Sequence, residues 1–265
     1  MMKQVLKSLS IEALGAANAY PTAVTSKTQL LALIDELRPV SAGIELLRLG
    51  PNGDGGYLVP GDLEGIEACF SPGVSDISGF EEDCARRGMQ VFLADRSVDG
   101  PAVANERFAF TKKHVGALTS ADVMTLDDWV GSSLPGSTAD LMLQIDIEGH
   151  EYETFLSASP GLMSRFRVIV AEFHALDHLW SAPFFQLAAP AFRKILQTHR
   201  CVHIHPNNCC GALVKDGLTM ARVMEFTFLR TDRVRRASFV DRFPHPLDFD
   251  NTANPALPLP ACWYY

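Results

Sequence analysis

Residues 141–156 read LMLQIDIEGHEYETFL and place a group of acids directly after an apolar run. The run LMLQI has the length and composition of a buried strand, and Asp146 and Glu148 follow it two positions apart. Glu151 and Glu153 come next and are expected to begin a helix, where acids interact favourably with the helix dipole. From this pattern three uses remain open: a metal site, a pair of catalytic carboxylates, or the floor of a cofactor pocket.

Strand-like and helix-like segments alternate on both sides of this stretch. The predicted strands are residues 66–71, 89–95, 106–111, 141–146, 166–174, 201–205 and 221–230. Helical patterns lie between most of them, and Pro190 is expected to kink or split the last helix, within residues 183–200. Such alternation predicts an α/β fold in which a mostly parallel, doubly wound sheet is covered on both faces, as in Rossmann-like proteins.

The remaining segments suggest how the chain is divided. Residues 1–40 are predicted to form an N-terminal helical extension, because Ser26 and Gln29 have capping-box spacing before an apolar helical pattern. Residues 41–265 are predicted to form the main domain. It begins with a hairpin around the Asn-Gly and Asp-Gly pairs of residues 44–60 and ends in a strap, rich in proline and aromatic residues, that packs across it.

Composition narrows the class of protein and its partners. The 265 residues are 47% hydrophobic and carry a formal net charge of −8, without a basic face, so we expect no nucleic-acid partner. The six cysteines form no C-x-x-C pair, which makes a reducing cytoplasm the expected location. No segment approaches the roughly 20 apolar residues of a transmembrane helix. The oligomeric state is not indicated.

Polar residues follow several predicted strands, at the edge where parallel sheets bind ligands. They are Asp95, Asp146, Glu148, Glu172, His174, His203, His205, Asn207 and Asn208. Carboxylates and imidazoles suit both divalent cations and general acid–base chemistry. Structural roles also remain open, such as a helix cap at Asp146, a core position for His203 or an ion pair between Glu172 and Arg167.

The first predicted strand leads into the loop SPGVSDISG, and Asp95 ends the second strand. A loop that passes close under a ligand needs a residue without Cβ, which Gly73 or Gly79 supplies. A carboxylate about 20 residues after such a loop commonly holds the ribose hydroxyls of a nucleotide cofactor. Asp95 has this spacing from Gly73.

The motifs TLDDW (125–129), LMLQIDIEGHEYETFL (141–156) and VIVAEFH (168–174) together resemble the FkbM-type methyltransferases. The block RLGPNGDGGYLV (48–59) is similar to one in related methyltransferase-like proteins. The resemblance implies a fold of the class I methyltransferase type and S-adenosylmethionine as cofactor. It also implies that a hydroxyl of a sugar, a glycan or another small polar metabolite accepts the methyl group.

Site residues follow from the resemblance and from the strand ends together. Predicted cofactor contacts are Ser71, Pro72, Gly73, Val74, Glu81, Asp95, Asp127 near the adenine, and Asp146. Predicted acceptor contacts are Tyr57, Glu148, His150, Asn207 and Asn208. Glu148 is placed second to Asp146, as an acceptor contact or as a support for the loop.

An alcohol must lose its proton during attack on a methyl group, and two routes remain open. In the first, His174 or His205 acts as general base. In the second, Asp146, Glu172 and His174 hold a divalent metal that lowers the pKa of the acceptor. Mg²⁺ or Ca²⁺ suits the carboxylates, whereas histidine ligands favour Mn²⁺ or Zn²⁺.

Two other functions compete with methyl transfer. The acids and histidines at the strand ends are also compatible with a metal-dependent hydrolase, although no H-E-x-x-H motif is present. The first-strand loop lacks the glycine-rich sequence of ordinary methyltransferases, which keeps open a catalytically inactive, methyltransferase-like binding protein.

Overall fold

Seven strands form the central sheet of the protein in a computed structural model that describes residues 21–265. All strands, in chain order, are β1 (Val40–Ser41), β2 (Leu46–Leu49), β3 (Tyr57–Pro60), β4 (Ala68–Pro72), β5 (Gln90–Ala94), β6 (Phe108–Thr111), β7 (His114–Val115), β8 (Val123–Met124), β9 (Leu141–Ile145), β10 (Phe166–Phe173), β11 (His199–Pro206), β12 (Ala212–Lys215), β13 (Leu218–Ala221), β14 (Met224–Arg230) and β15 (Ser238–Phe239). The α-helices are α1 (Lys27–Glu36), α2 (Gly79–Arg86), α3 (Leu126–Ser133), α4 (Glu151–Ser157), α5 (Pro160–Met163) and α6 (Ala182–Leu196).

The central sheet has the order β11-β14-β10-β9-β4-β5-β6. Strands β10, β9, β4, β5 and β6 pair in parallel, and β14 runs antiparallel to both of its neighbours, β10 and β11. The predicted mostly parallel, doubly wound α/β fold of the class I methyltransferase type is therefore confirmed. Its parallel strands bring their carboxyl ends to one edge, where the predicted site residues are concentrated.

Each face of the sheet has its own hydrophobic core. On one face, Phe173 and Phe226 pack with residues of α1, α3, α4 and α6. On the other, the β2–β3 hairpin and α2 cover Met142 and Val170. The hairpin confirms the interpretation of the Asn-Gly and Asp-Gly pairs. None of the helices within residues 21–265 combines the length and the apolar character required to cross a membrane.

Both ends of the described chain pack on the first of these cores. Leu30 and Leu33 of α1 are buried there, and Ser26 with Gln29 forms the predicted capping box. Near the C-terminus, Trp263 is buried with its ring 5.8 Å from that of Phe226. Residues 1–20 of the predicted extension lie outside the described residues, and the division at residue 40 stays a prediction.

Two local expectations are corrected in part. Residues 224–230 of the predicted strand 221–230 form β14, whereas Ala221 ends β13, which pairs with β12 in a hairpin that turns at Asp216 and Gly217, both of positive φ. The last helix is not split at Pro190, since α6 continues through it, and the alternative of a kink there stays a prediction. The buried apolar face of α6, which includes Ala188 and Phe192, outweighs the missing hydrogen bond of the proline.

The carboxyl ends of β4 and β9 touch at Gly73. Asp146 N donates to Pro72 O at 3.3 Å, and Gly73 has a φ of +92°. A Cβ atom on Gly73 would lie 1.6 Å from Asp146 O. The loop thus needs glycine because it presses against the backbone of β9, rather than only against a ligand as the sequence suggested.

Replacing Gly73 with alanine is expected to destabilise the protein by roughly 3 kcal/mol or more, from a left-handed alanine and a backbone forced apart. Gly88→Ala is the matched control, because Gly88 has a φ of +90° and no atom within 4 Å of its Cβ position. The control should lose only about 1–2 kcal/mol. Denaturant unfolding measures both variants, and equal losses would contradict the close contact.

A buried histidine predicts how stability depends on pH. His199 Nε2 donates to Phe166 O at 2.8 Å, and burial lowers the pKa of the ring to about 4, so the ring is neutral near neutral pH. Its contribution is complete above the unfolded pKa of about 6.5, and it is lost as the pH falls toward 4, because only the unfolded chain takes up the proton in that interval. A loss on the order of 3 kcal/mol follows.

Unfolding at pH 7.5 and pH 5 tests this expectation. His199→Gln should reduce the difference in unfolding free energy between the two pH values, because glutamine does not titrate. His178→Gln, at an exposed histidine, should leave the difference unchanged. An unaltered difference in the His199 variant would show that this histidine does not control acid stability.

Candidate active site

A cavity of about 640 Å³ lies at the carboxyl ends of β4, β5 and β9. The predicted residues that line it are Gly73, Val74, Asp95, Asp146, Glu148 and His150. They come from three separate parts of the sequence and meet because parallel strands end at one edge. The volume lies within the usual range of small-molecule sites.

The loop after β4 contributes backbone to the cavity, whereas its first two residues lie behind it. Ser71 and Pro72 are buried within β4. Ser71 Oγ lies 2.6 Å from Glu81 Oε1 and 2.6 Å from Gln144 Oε1. One hydroxyl proton serves only one of these two contacts at a time, and burial raises the pKa of Glu81. Ser71 and Glu81 therefore support the loop from below.

Asp95 connects two loops at the cavity wall. Its Oδ2 accepts from Val74 N at 3.1 Å, and its Oδ1 accepts from both the backbone N and the Oγ of Ser97 at 2.6 Å. Burial would raise the pKa of Asp95, but these hydrogen bonds lower it on balance, so the group is ionised near neutral pH.

The opposite wall was missed from the sequence. It consists of residues 114–118 and Val123, which belong to β7, β8 and the segment between them, and it is largely apolar. No motif marked these residues, and the short β7–β8 pair is formed by parallel pairing that becomes visible only in the fold. Asp127, predicted near the adenine, is not part of this wall. Its carboxylate accepts from the backbone N and the Oγ of Ser159 and ties α3 to α5.

Glu151 organises the turn between β9 and α4. It is 0% exposed, and its Oε1 accepts from Ile147 N at 3.1 Å and from Gly149 N at 3.0 Å. The same oxygen lies 3.2 Å from His174 Nδ1. The expectation that Glu151 only begins a helix was therefore too narrow. It holds the turn in shape and fixes the imidazole of His174.

Three carboxylates surround the other nitrogen of His174. Its Nε2 lies 3.5 Å from Glu148 Oε2, 3.7 Å from Glu172 Oε1 and 3.8 Å from Asp146 Oδ1. Burial would lower the pKa of His174, but the hydrogen bond to Glu151 and the charges of the nearby acids raise it on balance. Burial is also the main reason why the pKa of Asp146 rises to about 7, and Glu148 and Glu151 add to it.

A metal-sized group of ligand atoms exists within this arrangement. Asp146, Glu148 and His174 each offer one atom within 4.8 Å of the other two. The metal ligands predicted from the sequence included Glu172 in place of Glu148. The strand ends at Ile145, and Glu148 has a φ of +56°, so the backbone turns and brings its side chain back toward His174.

The residues of the neighbouring strands form a second group. His205 Nδ1 lies 3.7 Å from Asp248 Oδ1, and the same oxygen is 2.8 Å from His203 Nε2. His205 is thus held by the C-terminal segment and lies on β11, two strands away from the strand that leads to His174. The alternative ion pair of Glu172 with Arg167 is not formed, because Arg167 binds Asp140.

The remaining predicted acceptor residues are divided between these groups. Asn207 Nδ2 donates to Glu172 Oε1 at 3.2 Å. Asn208 Nδ2 donates to Thr252 O and Asn254 O and so anchors the C-terminal segment. The buried hydroxyl of Tyr57 lies 3.4 Å from Gln144 Nε2.

A family model matches part of this chain in sequence, and a solved structure aligns with it weakly. Residues 89–201 match the model of the methyltransferase FkbM domain. The crystal structure of EvdMO1 aligns with a TM-score of 0.31 at 12% sequence identity, over 77% of this chain and 47% of that one, so the alignment spans about half of EvdMO1. No curated protein matches significantly. The resemblance inferred from the motifs is confirmed by this match of residues 89–201 to the FkbM methyltransferase domain model.

Proposed function

We propose that this protein is an S-adenosylmethionine-dependent methyltransferase that acts on an oxygen of a sugar, a glycan or another small polar metabolite. One observation carries the proposal. The cavity lined by Gly73, Asp95 and Asp146 lies at the carboxyl edge of a sheet whose strands β5, β9 and β10 fall within the FkbM domain. In α/β sheets this edge is where ligands bind.

The residues present fit the cofactor. Asp95 is ionised at the cavity wall and suits the ribose hydroxyls, and the apolar residues Val115 and Val123 suit the adenine. Asp146 and Glu148 place negative charge at the other end of the cavity. S-adenosylmethionine supplies a methyl group on a positively charged sulfur, and carboxylates stabilise such a cation. The FkbM match favours this function over the metal-dependent hydrolase.

His174 is the better candidate for the general base. Glu151 holds its Nδ1, so its Nε2 points toward Asp146 at the end of the cavity. His205 is fixed by Asp248 on a more distant strand. A raised pKa makes His174 a stronger base when it is neutral, and it then accepts the proton of an acceptor hydroxyl that approaches the same end.

The metal-assisted route uses many of the same atoms. Asp146, Glu148 and His174 would hold a divalent ion, and Asp146 Oδ1 is buried without a hydrogen-bond partner among the described residues. Two carboxylates and one imidazole suit Mn²⁺ or Zn²⁺ better than Mg²⁺ or Ca²⁺, which prefer oxygen ligands. A metal at this point would lower the pKa of the acceptor hydroxyl and orient it.

Calorimetric titration with S-adenosylhomocysteine tests the cofactor. Binding is expected, and Asp95→Ala should weaken it about tenfold or more, because hydrogen bonds to a charged group contribute about 1.5–3 kcal/mol. Asp35→Asn, on an exposed acid of α1, is the control and should bind normally. Absence of binding would contradict the cofactor assignment, and unchanged binding by Asp95→Ala would contradict the role of Asp95. Binding without any methyl transfer would favour the inactive binding protein.

Equilibrium dialysis against Mn²⁺, followed by elemental analysis, tests the metal. About one ion per chain is expected, and Asp146→Asn and Glu148→Gln should each lose it, because carboxylate ligands are removed. Glu106→Gln, at an exposed acid, should retain the ion. Loss in Glu172→Gln with retention in Glu148→Gln would restore the ligand set predicted from the sequence. No ion in the unmodified protein would leave His174 acting alone.

A further inference from the structure

A row of titratable side chains crosses four neighbouring strands beside the cavity. Glu225 of β14 is the register partner of Glu172 on one side and of His205 on the other. Asp146 follows Ile145, the register partner of Ala171, and so stands next to Glu172. Register partners project from the same face of a sheet. The four groups therefore form one continuous row, and Asp146 is its end within the cavity.

The β2–β3 hairpin and the C-terminal segment cover this face. Thr227, two residues along from Glu225, donates through its Oγ1 to Leu58 O of β3 at 2.6 Å. Asn251 of the C-terminal segment donates to Glu225 Oε1 at 2.6 Å. The row is consequently screened from water: the exposed fractions are 5% for Glu172, 6% for Glu225 and 9% for His205.

Buried polar atoms without partners are concentrated here. Among residues 21–265, no hydrogen-bond partner exists for Glu172 Oε2, His205 Nε2, Asn251 Oδ1 or Asp146 Oδ1. The large majority of buried side-chain polar atoms in proteins have a partner. Other atoms of the same side chains are in contact, as Asn207 donates to Glu172 Oε1 and Asp248 Oδ1 lies 3.7 Å from His205 Nδ1. Four unpaired atoms on pre-positioned side chains indicate a polar ligand.

The unpaired atoms define what the ligand must bring. Carboxylate oxygens and an amide oxygen accept hydrogen bonds. His205 Nδ1 faces Asp248 Oδ1 at 3.7 Å, and Nε2 accepts in the neutral tautomer that carries its proton on Nδ1. Hydroxyl groups satisfy such a row because they donate to ionised acids and accept from a protonated one, and ammonium groups supply further donors. Phosphate and carboxylate groups offer acceptors and negative charge instead.

The charged groups near the row also disfavour an anionic ligand. Burial is the main cause of the raised pKa of Glu225, which reaches about 7, while the charges of His205 and Arg48 oppose the rise. Burial would lower the pKa of His205, but Asp248 and Glu225 raise it on balance. Arg48 is the arginine whose charge acts on Glu225. Its guanidinium is already committed, since it donates to Pro51 O, Gly53 O and Leu247 O. An anionic ligand would thus meet several desolvated acids, beside an arginine that is already bound and an imidazole that already interacts with Asp248 and Glu225.

We propose that the row from Asp146 to His205, closed by Asn251, is the acceptor site, and that it binds uncharged or amine-bearing sugars while it excludes sugar phosphates and uronic acids. The inference rests on the proposed function and deepens it. Asp146 belongs to both the cavity and the row, so an acceptor hydroxyl beside Asp146 is also close to His174 Nε2. The C-terminal segment thereby becomes part of acceptor recognition.

Saturation-transfer NMR on the protein loaded with S-adenosylhomocysteine tests this proposal. The probes are glucose, galactose and glucosamine, compared with glucose 6-phosphate and glucuronic acid. At least one of the first three should bind, and both anionic sugars should bind at least tenfold more weakly. Asn251→Ala should weaken the bound sugar at least tenfold, while Asn105→Ala, in an unrelated loop, should have no effect. Glu225→Gln should weaken glucosamine more than glucose, because it removes a negative charge.

Two further measurements on each variant distinguish a failure of the acceptor site from a failure of the proposed function. The affinity for S-adenosylhomocysteine and the melting temperature of each variant show that the cavity and the fold are intact. Tighter binding of glucose 6-phosphate or glucuronic acid would overturn the acceptor class. The same holds if no neutral or amine-bearing sugar binds while S-adenosylhomocysteine does. Failure of S-adenosylhomocysteine to bind would contradict the proposed function instead, and sugar binding to the free protein would still decide the acceptor site.

Discussion

The contact between Gly73 and the backbone of Asp146 is the constraint on which the site depends. It brings the end of β4 against the end of β9, closer than any residue with a side chain allows. Because of this contact, the loop that carries Val74 and the turn that begins at Asp146 form one continuous wall. Asp95 then attaches to that wall by accepting from Val74 N. The geometry of the cavity follows from backbone packing, before any ligand is considered.

Two groups of polar side chains extend from Asp146, and they differ in how fully they are hydrogen-bonded. Toward the DIEGHE turn, Glu151 uses one oxygen to satisfy two backbone amides and the ring of His174. Toward β14 and β11, the acids are buried but incompletely paired. The first arrangement stabilises the fold, whereas the second costs free energy in the absence of a ligand. A protein that keeps unpaired acids inside its covered sheet gives up stability there for the sake of a function.

The sequence was sufficient for those features that local patterns encode. Apolar runs and turn residues predicted the seven strands of the sheet and the hairpin of residues 44–60, and strand endings predicted that Asp95, Asp146 and His174 lie at one edge of the sheet. Features that depend on backbone direction were not predictable in the same way. Period-two spacing placed Glu148 on an extended strand, but the strand ends at Ile145 and a positive φ turns the side chain back. The β12–β13 hairpin turns at Asp216 and Gly217, and an Asp-Gly pair is typical of such turns.

Contacts between side chains were the features of the structure that the sequence predicted least well. Asp127 has the kind of side chain that binds cofactors, a carboxylate. Both of its oxygens nevertheless accept from Ser159, a residue far away in the sequence. Glu225 carried no signal, because a single acid within an apolar strand resembles an exposed position of an edge strand. Its importance arises only when β14 inserts between β10 and β11 and places Glu225 between Glu172 and His205. The antiparallel strand, which a purely parallel sheet would lack, is therefore what joins the cavity to the C-terminal segment, and it carries the centre of the proposed acceptor site.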